Sequence, residues 1–369
     1  MVVTGGLHPS GREQVVPSLL ALFERLARNH EVHAFVIRHL YEARTYAQRG
    51  FTVHDLGRPS APFGLTRWAQ QRALVKAMKV EGRFELVHGF WADPAGLLAA
   101  RAGRYFGMPS VLTCDSGEFV ALPDIDYGSQ RTPRGRAAVH EACRLASQVH
   151  VCTAFMAGLA SAHGVTPRVI PLGAARAGAA PLPRSGGLRL IQVATLSRVK
   201  NQASLIDAVA LLARDRDVRL ALVGEDTLEG ALQERARSRG VADRIVFHGF
   251  VPNDELAPLL AGADLYVQSS RHEAAAVAVL EAAAAGLPVV GTRVGYIADW
   301  SPDRAEAIDE PTPQSIADGI RRLIDDRDRS QRMSAAAQSW ALEHDADWTA
   351  KQFENMYRDV NCRSTDRPI

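Results

Sequence analysis

Three side chains in the second half of this chain have the types and positions to do chemistry: two carboxylates, Glu273 and Glu281, and one cation, Lys200. Glu273 stands where a loop runs into an alanine-rich helix, beside backbone N–H groups that have no intrahelical partner and that favour negative charge. Glu281 follows Val277 by four residues and precedes Ala284 and Ala285 by three and four, which puts it near the apolar stripe of that helix. No Lys or Arg falls within four residues of it. A carboxylate facing a packed interior is costly without a partner. Either Glu281 is a solvated face residue, or a ligand rich in hydroxyls satisfies it. Lys200 lies in the loop Ser197-Arg198-Val199-Lys200-Asn201 just ahead of another helix, where cation and helix N-terminus together favour an anion. A loop lysine taken alone is a solvated one.

The elements that position these groups read as strand and helix in alternation. Leu265–Gln268 is a buried strand, Val277–Ala285 a helix, Gly286 with Pro288 a stop, and Pro288–Thr292 the next strand. Around them the pattern predicts strands at Leu190–Ala194, Arg219–Val223, Ile245–Phe247 and Ala305–Ile308, with helices at Ala203–Ala213, Leu228–Arg239 and Asp254–Ala261. The first half repeats the architecture: strands at Val2–Thr4, Glu31–Ile37, Phe51–Leu56, Leu86–Phe90, Ser110–Cys114, Val149–Thr153 and Val169–Leu172. Helices are predicted between them at Val15–Leu26, Leu65–Val80, Pro94–Phe106, Gly135–Ala146 and Ala154–Ala162. Such alternation implies doubly wound parallel sheets, whose loops at the carboxyl edge bind ligands. Ala, Pro and Gly crowd the stretch Ala174–Gly187, a linker at 176–187 between domains 1–175 and 188–346. Pro313 to Val360 is helical.

Composition narrows the class. A chain of 369 residues, 47% hydrophobic and 23% charged, suits two soluble α/β domains. No apolar run approaches the roughly 20 residues that span a bilayer, and the first residues lack a signal peptide's charged start. Cytoplasmic placement is the expectation. The cysteines (Cys114, Cys143, Cys152, Cys362) have no metal-like spacing and suit reduced thiols. Net charge is +2, unevenly spread: residues 1–180 hold 20 Lys and Arg against 13 Asp and Glu, the remainder 23 against 28. The basic half suits an anionic acceptor or the inner face of a membrane, touched peripherally through the helix of Arg67, Trp68, Arg72, Lys76 and Lys79. It does not suit nucleic acid, since no dense basic run with interleaved aromatics occurs.

The run Glu273, seven residues, Glu281, then Ala-Ala-Ala-Ala-Gly-Leu-Pro-Val-Val-Gly-Thr resembles the sugar-nucleotide signature of the family 4 retaining glycosyltransferases. The resemblance implies the GT-B fold: two facing Rossmann-like domains, an interdomain cleft, and a last helix (347–360) packing back on the first domain. It implies transfer of a sugar from a UDP- or GDP-linked donor to a glycan, lipid-linked or small-molecule acceptor, with no cofactor and no metal. The leaving diphosphate would take the acceptor's proton. The roles it implies put Glu273 and the amides of Ala275, Ala276 and Val277 on the sugar, and Glu281 on the ribose hydroxyls. Lys200, with Arg198, would neutralise the diphosphate, while Gly5 and Gly6 face it and Phe250 and Val251 line the base. His88, Asp115 and Glu118 follow strands of the first half and are assigned to the acceptor. Glu273, Lys200 and Asp115 form the catalytic set.

Three departures from the family pattern stand out. Ala274-Ala275-Ala276 replaces Gly-Phe-Gly, Ala194-Thr195 replaces Gly-Arg in the phosphate loop, and Asp115 stands where many members have His. Asp115 either orients an acceptor hydroxyl or is an exposed loop acid. Together the departures motivate a second reading, a catalytically impaired sugar-nucleotide-binding protein acting as a partner subunit. The four Asp-x-Asp triplets, Asp124/Asp126 in the first half included, carry no metal expectation.

Overall fold

The computed structural model describes residues 2–3, 6–37, 40, 42–58, 65–174 and 186–365. The predicted linker 176–187 lies almost entirely outside them, as does Gly5. The chain divides into two compact units, one of Met1–Leu172 with Ala346–Ile369 and one of Gly173–Asp345. Each is a parallel sheet flanked by helices.

Unit 1 is built on β1 (Val2–Val3), β2 (His33–Val36), β3 (Arg44–Gln48), β4 (Phe51–Asp55), β5 (Val87–Phe90), β6 (Ser110–Thr113), β7 (Gln148–Val151) and β8 (Arg168–Val169), in the order β3-β4-β2-β1-β5-β6-β7-β8. All neighbours pair parallel except β3, which runs antiparallel along the edge beside β4. Periodicity overlooked β3 because Arg44-Thr-Tyr-Ala-Gln is a mostly exposed edge strand with too little apolar alternation to register. Unit 2 carries β9 (Leu188–Val193), β10 (Val218–Val223), β11 (Ile245–Gly249), β12 (Leu265–Gln268), β13 (Val289–Thr292) and β14 (Glu306–Ile308), in the order β11-β10-β9-β12-β13-β14. Its helix Pro313–Asp325 shows how the sequence writes such an element. Thr312 caps it by accepting from the Ser315 N–H at 3.2 Å, and Ile316, Ala317, Ile320 and Leu323 form one buried stripe against the sheet.

The strand order reverses at one place in each sheet. In unit 2, β9 lies between β10 and β12, so the connections after β9 and after β12 leave in opposite directions and open a crevice at the carboxyl edge. Lys200 follows β9 and Glu273 follows β12. In unit 1 the reversal lies at β1 and β5.

The last helix, Ala346–Thr365, belongs to unit 1 and covers buried polar groups there. Its Asp347 pairs with Arg25 at 3.0 Å and Arg28 at 2.7 Å, and Phe353 and Met356 are fully buried. Beneath Phe353 runs a chain of hydrogen bonds whose direction can be worked out. Ile170 O only accepts, so His150 Nε2 donates to it at 2.8 Å and His150 Nδ1 is bare. Thr113 Oγ1 therefore donates to His150 Nδ1 at 2.8 Å and accepts from His88 Nε2 at 2.7 Å, which leaves His88 Nδ1 to accept from the Tyr357 hydroxyl at 2.8 Å. Both imidazoles are neutral and fully buried. His88 thus departs from its expected role: both ring nitrogens are taken by the fold, and no part of the ring is accessible to an acceptor.

Burial pushes His150 down to about 4 and His88 well below the usual imidazole range. The unfolded chain takes protons at these groups below about 6.5, whereas the folded chain does not. Stability is therefore complete above about 6.5 and falls as pH drops toward 4. Urea unfolding between pH 7.5 and 4.5 should show a loss on the order of 2–3 kcal/mol through His150 alone. A His150→Gln variant, which can keep both hydrogen bonds, should lose less; parallel curves for the two proteins would contradict the account.

Candidate functional site

Lys200 is placed by a buried glutamine. After β9 the chain anchors Leu196 in the core and makes a short turn, Arg198–Lys200, ahead of the helix Gln202–Leu212. Gln202, 1% exposed, reaches back into the loop: its Nε2 donates to Thr195 O at 3.2 Å and its Oε1 accepts from Ser197 N–H at 3.3 Å. Two bonds tie the loop sideways to the end of β12, Ser269 Oγ to Lys200 O at 2.8 Å and Arg271 N–H to Val199 O at 2.8 Å. The Lys200 ammonium then meets Glu273 Oε1 at 2.6 Å.

Glu273 is 7% exposed and its oxygen is oversubscribed. Oε1 also accepts from Gln268 Nε2 at 2.7 Å and Ser270 Oγ at 2.6 Å. The Gln268 amide is oriented in turn by the Tyr266 hydroxyl, which donates to its Oε1 at 2.9 Å. This ladder of Tyr266, Gln268 and Ser270 is buried throughout and was overlooked in the sequence. The available signal was Gln268-Ser269-Ser270, three polar residues closing an apolar strand that has no turn chemistry to explain them.

The loop between Glu273 and its helix carries the alanines. Ala274 and Ala275 are buried, and Ala275 O accepts from Tyr296 N–H at 3.1 Å. Gly295, at φ +54°, lets that second segment close on the loop, because a Cβ there would lie 2.7 Å from Ala275 O. Ala276, which precedes the helix Val277–Ala284, has φ +67°, a left-handed conformation that suits glycine. Side chains in that conformation cost roughly 1–2 kcal/mol.

Glu281 sits in the helix Val277–Ala284, partly buried, and here the sequence reading needs correcting. The carboxylate has a protein partner: Asn253 Nδ2 donates to its Oε1 at 2.6 Å. One neutral amide does not offset the burial, which pushes the carboxyl up to about 7 while the Asn253 bond pulls it down. Asn253 follows Phe250 and Val251 on the loop after β11, so it links that loop to Glu281. Phe250 is half exposed and Val251 partly buried. Arg198 is exposed, with no ion-pair partner among the described residues. The structure therefore gathers Lys200 and Glu273 directly, joins Glu281 to the 250–253 loop, and leaves Arg198 outside.

Sequence profiles match both units. The profile described as glycosyl transferases group 1 covers residues 179–340, and that described as glycosyl transferase 4-like domain covers residues 15–173. The chain belongs to the family 4-like glycosyltransferases. N-acetyl-alpha-D-glucosaminyl L-malate synthase of Bacillus anthracis is 28% identical over 174 residues, 46% of this chain and 45% of that protein. The chain thus matches about half the length of such curated relatives. Its fold is GT-B. Sucrose-phosphate synthase from Thermosynechococcus elongatus superposes with a TM-score of 0.79 at 18% identity, over 98% of this chain and 99% of that one. Anabaena HepE in complex with UDP-glucose superposes with a TM-score of 0.74 at 19% identity, over 97% and 99%.

The glycosyltransferase residues assigned to the acceptor are placed differently from one another. Glu118, 3% exposed, accepts from Ser116 N–H at 2.7 Å and Ala92 N–H at 3.3 Å, and burial raises its carboxyl against those bonds. It clamps two loops together and offers an acceptor nothing, a second correction to the sequence reading. Asp115 is partly buried and accepts from the Cys152 thiol at 3.3 Å. Gly6, at φ +77°, has a local reason to be glycine, since a Cβ would lie 2.6 Å from the Val16 side chain. No helix among the described residues is long and apolar enough to cross a membrane.

Two substitutions test the geometry of this loop and helix. Ala276→Gly relieves roughly 1–2 kcal/mol of left-handed strain and adds about 0.4–1 kcal/mol of unfolded-state entropy. A net gain of about 0.5–1 kcal/mol is expected in the urea midpoint; a loss would mean that the alanine is unstrained. Glu281→Gln keeps the Asn253 contact and removes the buried charge. Because the folded carboxyl titrates above its unfolded value, the native acid costs stability as pH rises from about 4.5 to about 7. The variant should therefore be more stable than the parent at pH 8 and equal to it at pH 4; equal stability at both would remove the argument.

Proposed function

We propose that the protein is a configuration-retaining glycosyltransferase that moves a sugar from a nucleoside-diphosphate sugar to an acceptor hydroxyl. The observation that carries this reading is the Lys200–Glu273 pair, 2.6 Å apart at the strand-order reversal of unit 2. A cation fixed by its loop and a buried carboxylate fixed by three donors supply opposite charges side by side. Lys200 takes the diphosphate, and Glu273 with the amides of Ala275, Ala276 and Val277 takes the sugar hydroxyls. Glu281 accepts from the ribose, beside a base-lining loop of Phe250 and Val251. As the glycosidic bond breaks, negative charge grows on the diphosphate, and a pre-placed ammonium stabilises it without reorganisation. The diphosphate then receives the acceptor's proton, so no side chain in unit 1 has to act as base. Asp115 remains as the residue that orients the acceptor.

The UDP-glucose complex of Anabaena HepE supports a UDP-linked donor, and GDP-linked donors are the arm to test against it. For the acceptor, unit 1 offers a polar cavity of ≈ 350 Å³ lined by Arg67, Arg131, Arg134, Asp93, Ser116 and Thr132. Arg67 is paired with Asp93 and Arg131 with Asp126, so Arg134 supplies the net positive charge that suits an anionic small molecule; the Bacillus anthracis relative is named for an L-malate conjugate. Exposed Trp68, with the Arg72 guanidinium 4.6 Å from its ring, would allow peripheral contact with an anionic membrane. The reading as an impaired partner subunit is the less favoured one, since the Lys200–Glu273 pair is in place and Ala276 adopts a left-handed backbone that suits glycine.

Lys200→Ala and Glu273→Gln should each lower transfer by roughly 10²-fold or more, Lys200→Ala with a lowered melting temperature because it leaves the Glu273 carboxylate without its cation. The product's anomeric configuration, read by NMR, should match the donor's. Wild-type activity surviving in Glu273→Gln would end the proposal. Since the ionised carboxylate is the better acceptor for ribose hydroxyls, nucleotide affinity should rise between pH 6 and pH 8. That rise should vanish in Glu281→Gln. An identical pH profile in both proteins would exclude contact between Glu281 and the nucleotide.

A further inference from the structure

Unit 1 brings together two imidazoles and a carboxylate that take no part in the chemistry above. His33 opens β2 at the amino edge of its sheet, the edge opposite the one where ligands bind. Phe35 pairs in register with His54 on β4, so His33, Phe35 and His54 share one face. The helix Thr66–Glu81 covers that face through Leu74 and Met78, and its last residue, Glu81, returns to the two histidines. His33 Nδ1 and His54 Nε2 lie 2.9 Å apart. The Glu81 oxygens stand 3.9 Å from His33 Nδ1 and 3.6 Å from His54 Nδ1. One ligand atom from each residue falls within 4.8 Å of the other two.

The outer partners decide where the lone pairs point. His33 Nε2 faces Glu31 Oε1 at 3.1 Å, and a carboxylate can only accept, so the proton sits on Nε2 and Nδ1 is bare toward the cluster. With His33 Nδ1 bare, His54 Nε2–H donates to it at 2.9 Å in the absence of an ion. When an ion binds, the His54 ring proton sits on Nδ1, where Thr45 Oγ1 at 3.2 Å accepts it, and Nε2 turns its lone pair to the same point. Metal-ligating histidines are commonly held this way, the far nitrogen donating to a carboxylate or hydroxyl. Two ring nitrogens and a carboxylate on a tetrahedral ion with bonds of about 2.0–2.1 Å would stand about 3.3 Å apart. The two separations that involve His33 Nδ1, 2.9 Å to His54 Nε2 and 3.9 Å to Glu81, lie on either side of that value, and the three ligand atoms all fall within 4.8 Å of one another. Imidazole donors favour zinc-class ions over magnesium and calcium, which prefer all-oxygen sites.

We propose that His33, His54 and Glu81 bind one divalent transition ion of the zinc class, with water in the fourth position. The ion joins β2, β4 and the end of the covering helix, and stabilises unit 1. It belongs to unit 1 and shares no residue with the donor site proposed in unit 2, so the proposal stands or falls independently of the transfer reaction.

The test uses the full chain without an affinity tag, stripped of metal and titrated with Co²⁺. One Co²⁺ per chain should produce visible absorption bands of a low-coordinate nitrogen and oxygen site. Zn²⁺ should displace it, Mg²⁺ should not, and Zn²⁺ should raise the melting temperature. Glu81→Ala alters a partly exposed helix end and should fold as the parent does, while weakening Co²⁺ binding by more than about tenfold. His33→Gln should abolish the bands. Bands and stoichiometry that survive both substitutions would place the ion elsewhere and overturn the proposal, as would the absence of saturable Co²⁺ uptake by the parent protein.

Discussion

A single carboxylate oxygen, Glu273 Oε1, takes an ammonium, an amide and a hydroxyl within 2.7 Å, and unit 2 is arranged to make that possible. A carboxylate this buried would be costly alone. Its partners come from the loop after β9 and from the end of β12 with the loop that follows, which one backbone bond and one Ser269 hydroxyl bond tie together. The position of Lys200 depends on Gln202 beneath its loop, and the position of Glu273 on Gln268 and Tyr266 beneath its strand. Charge complementarity between the loops is therefore fixed before any ligand arrives. Such preorganisation is what stabilising a developing diphosphate charge requires.

The sheets, their parallel pairing and the positions of Lys200, Glu273 and Glu281 were legible in the sequence, because buried strands and alanine-rich helices leave strong periodic signals. The helix Gly295–Trp300 was overlooked: it is one short element beginning at a glycine, yet it supports the loop of Ala274–Ala276 through Tyr296 N–H. Polar side chains inside strands were harder still. Gln192, Gln268 and Thr113 look in sequence like interruptions of an apolar run, and only three-dimensional pairing shows what they hold. His88 and Glu118 were misjudged for the same reason. His88 lies inside β5 and Glu118 in the loop after β6, and one is held by Tyr357 from a helix some 270 residues away in sequence, the other by backbone amides.

The triple alanine that separates this chain from its family's glycine-rich pattern has a local consequence. Ala276 takes the left-handed backbone that the replaced glycine would take freely, and Gly295 beneath the loop accommodates the close approach. The amide of Ala276 lies just ahead of the helix Val277–Ala284. Strain retained at such a site is tolerable when neighbours hold the backbone in place, as Tyr296 does for Ala275.

The account rests on Lys200 and Glu273 marking where diphosphate meets sugar. Crystals of the full chain with UDP, and separately with GDP, test it most directly. The account predicts diphosphate oxygens within ion-pair distance of Lys200 Nζ and the ribose hydroxyls on the Glu281 carboxylate. Either nucleotide bound elsewhere, with the Lys200 pair undisturbed and Glu281 still facing only Asn253, would contradict it.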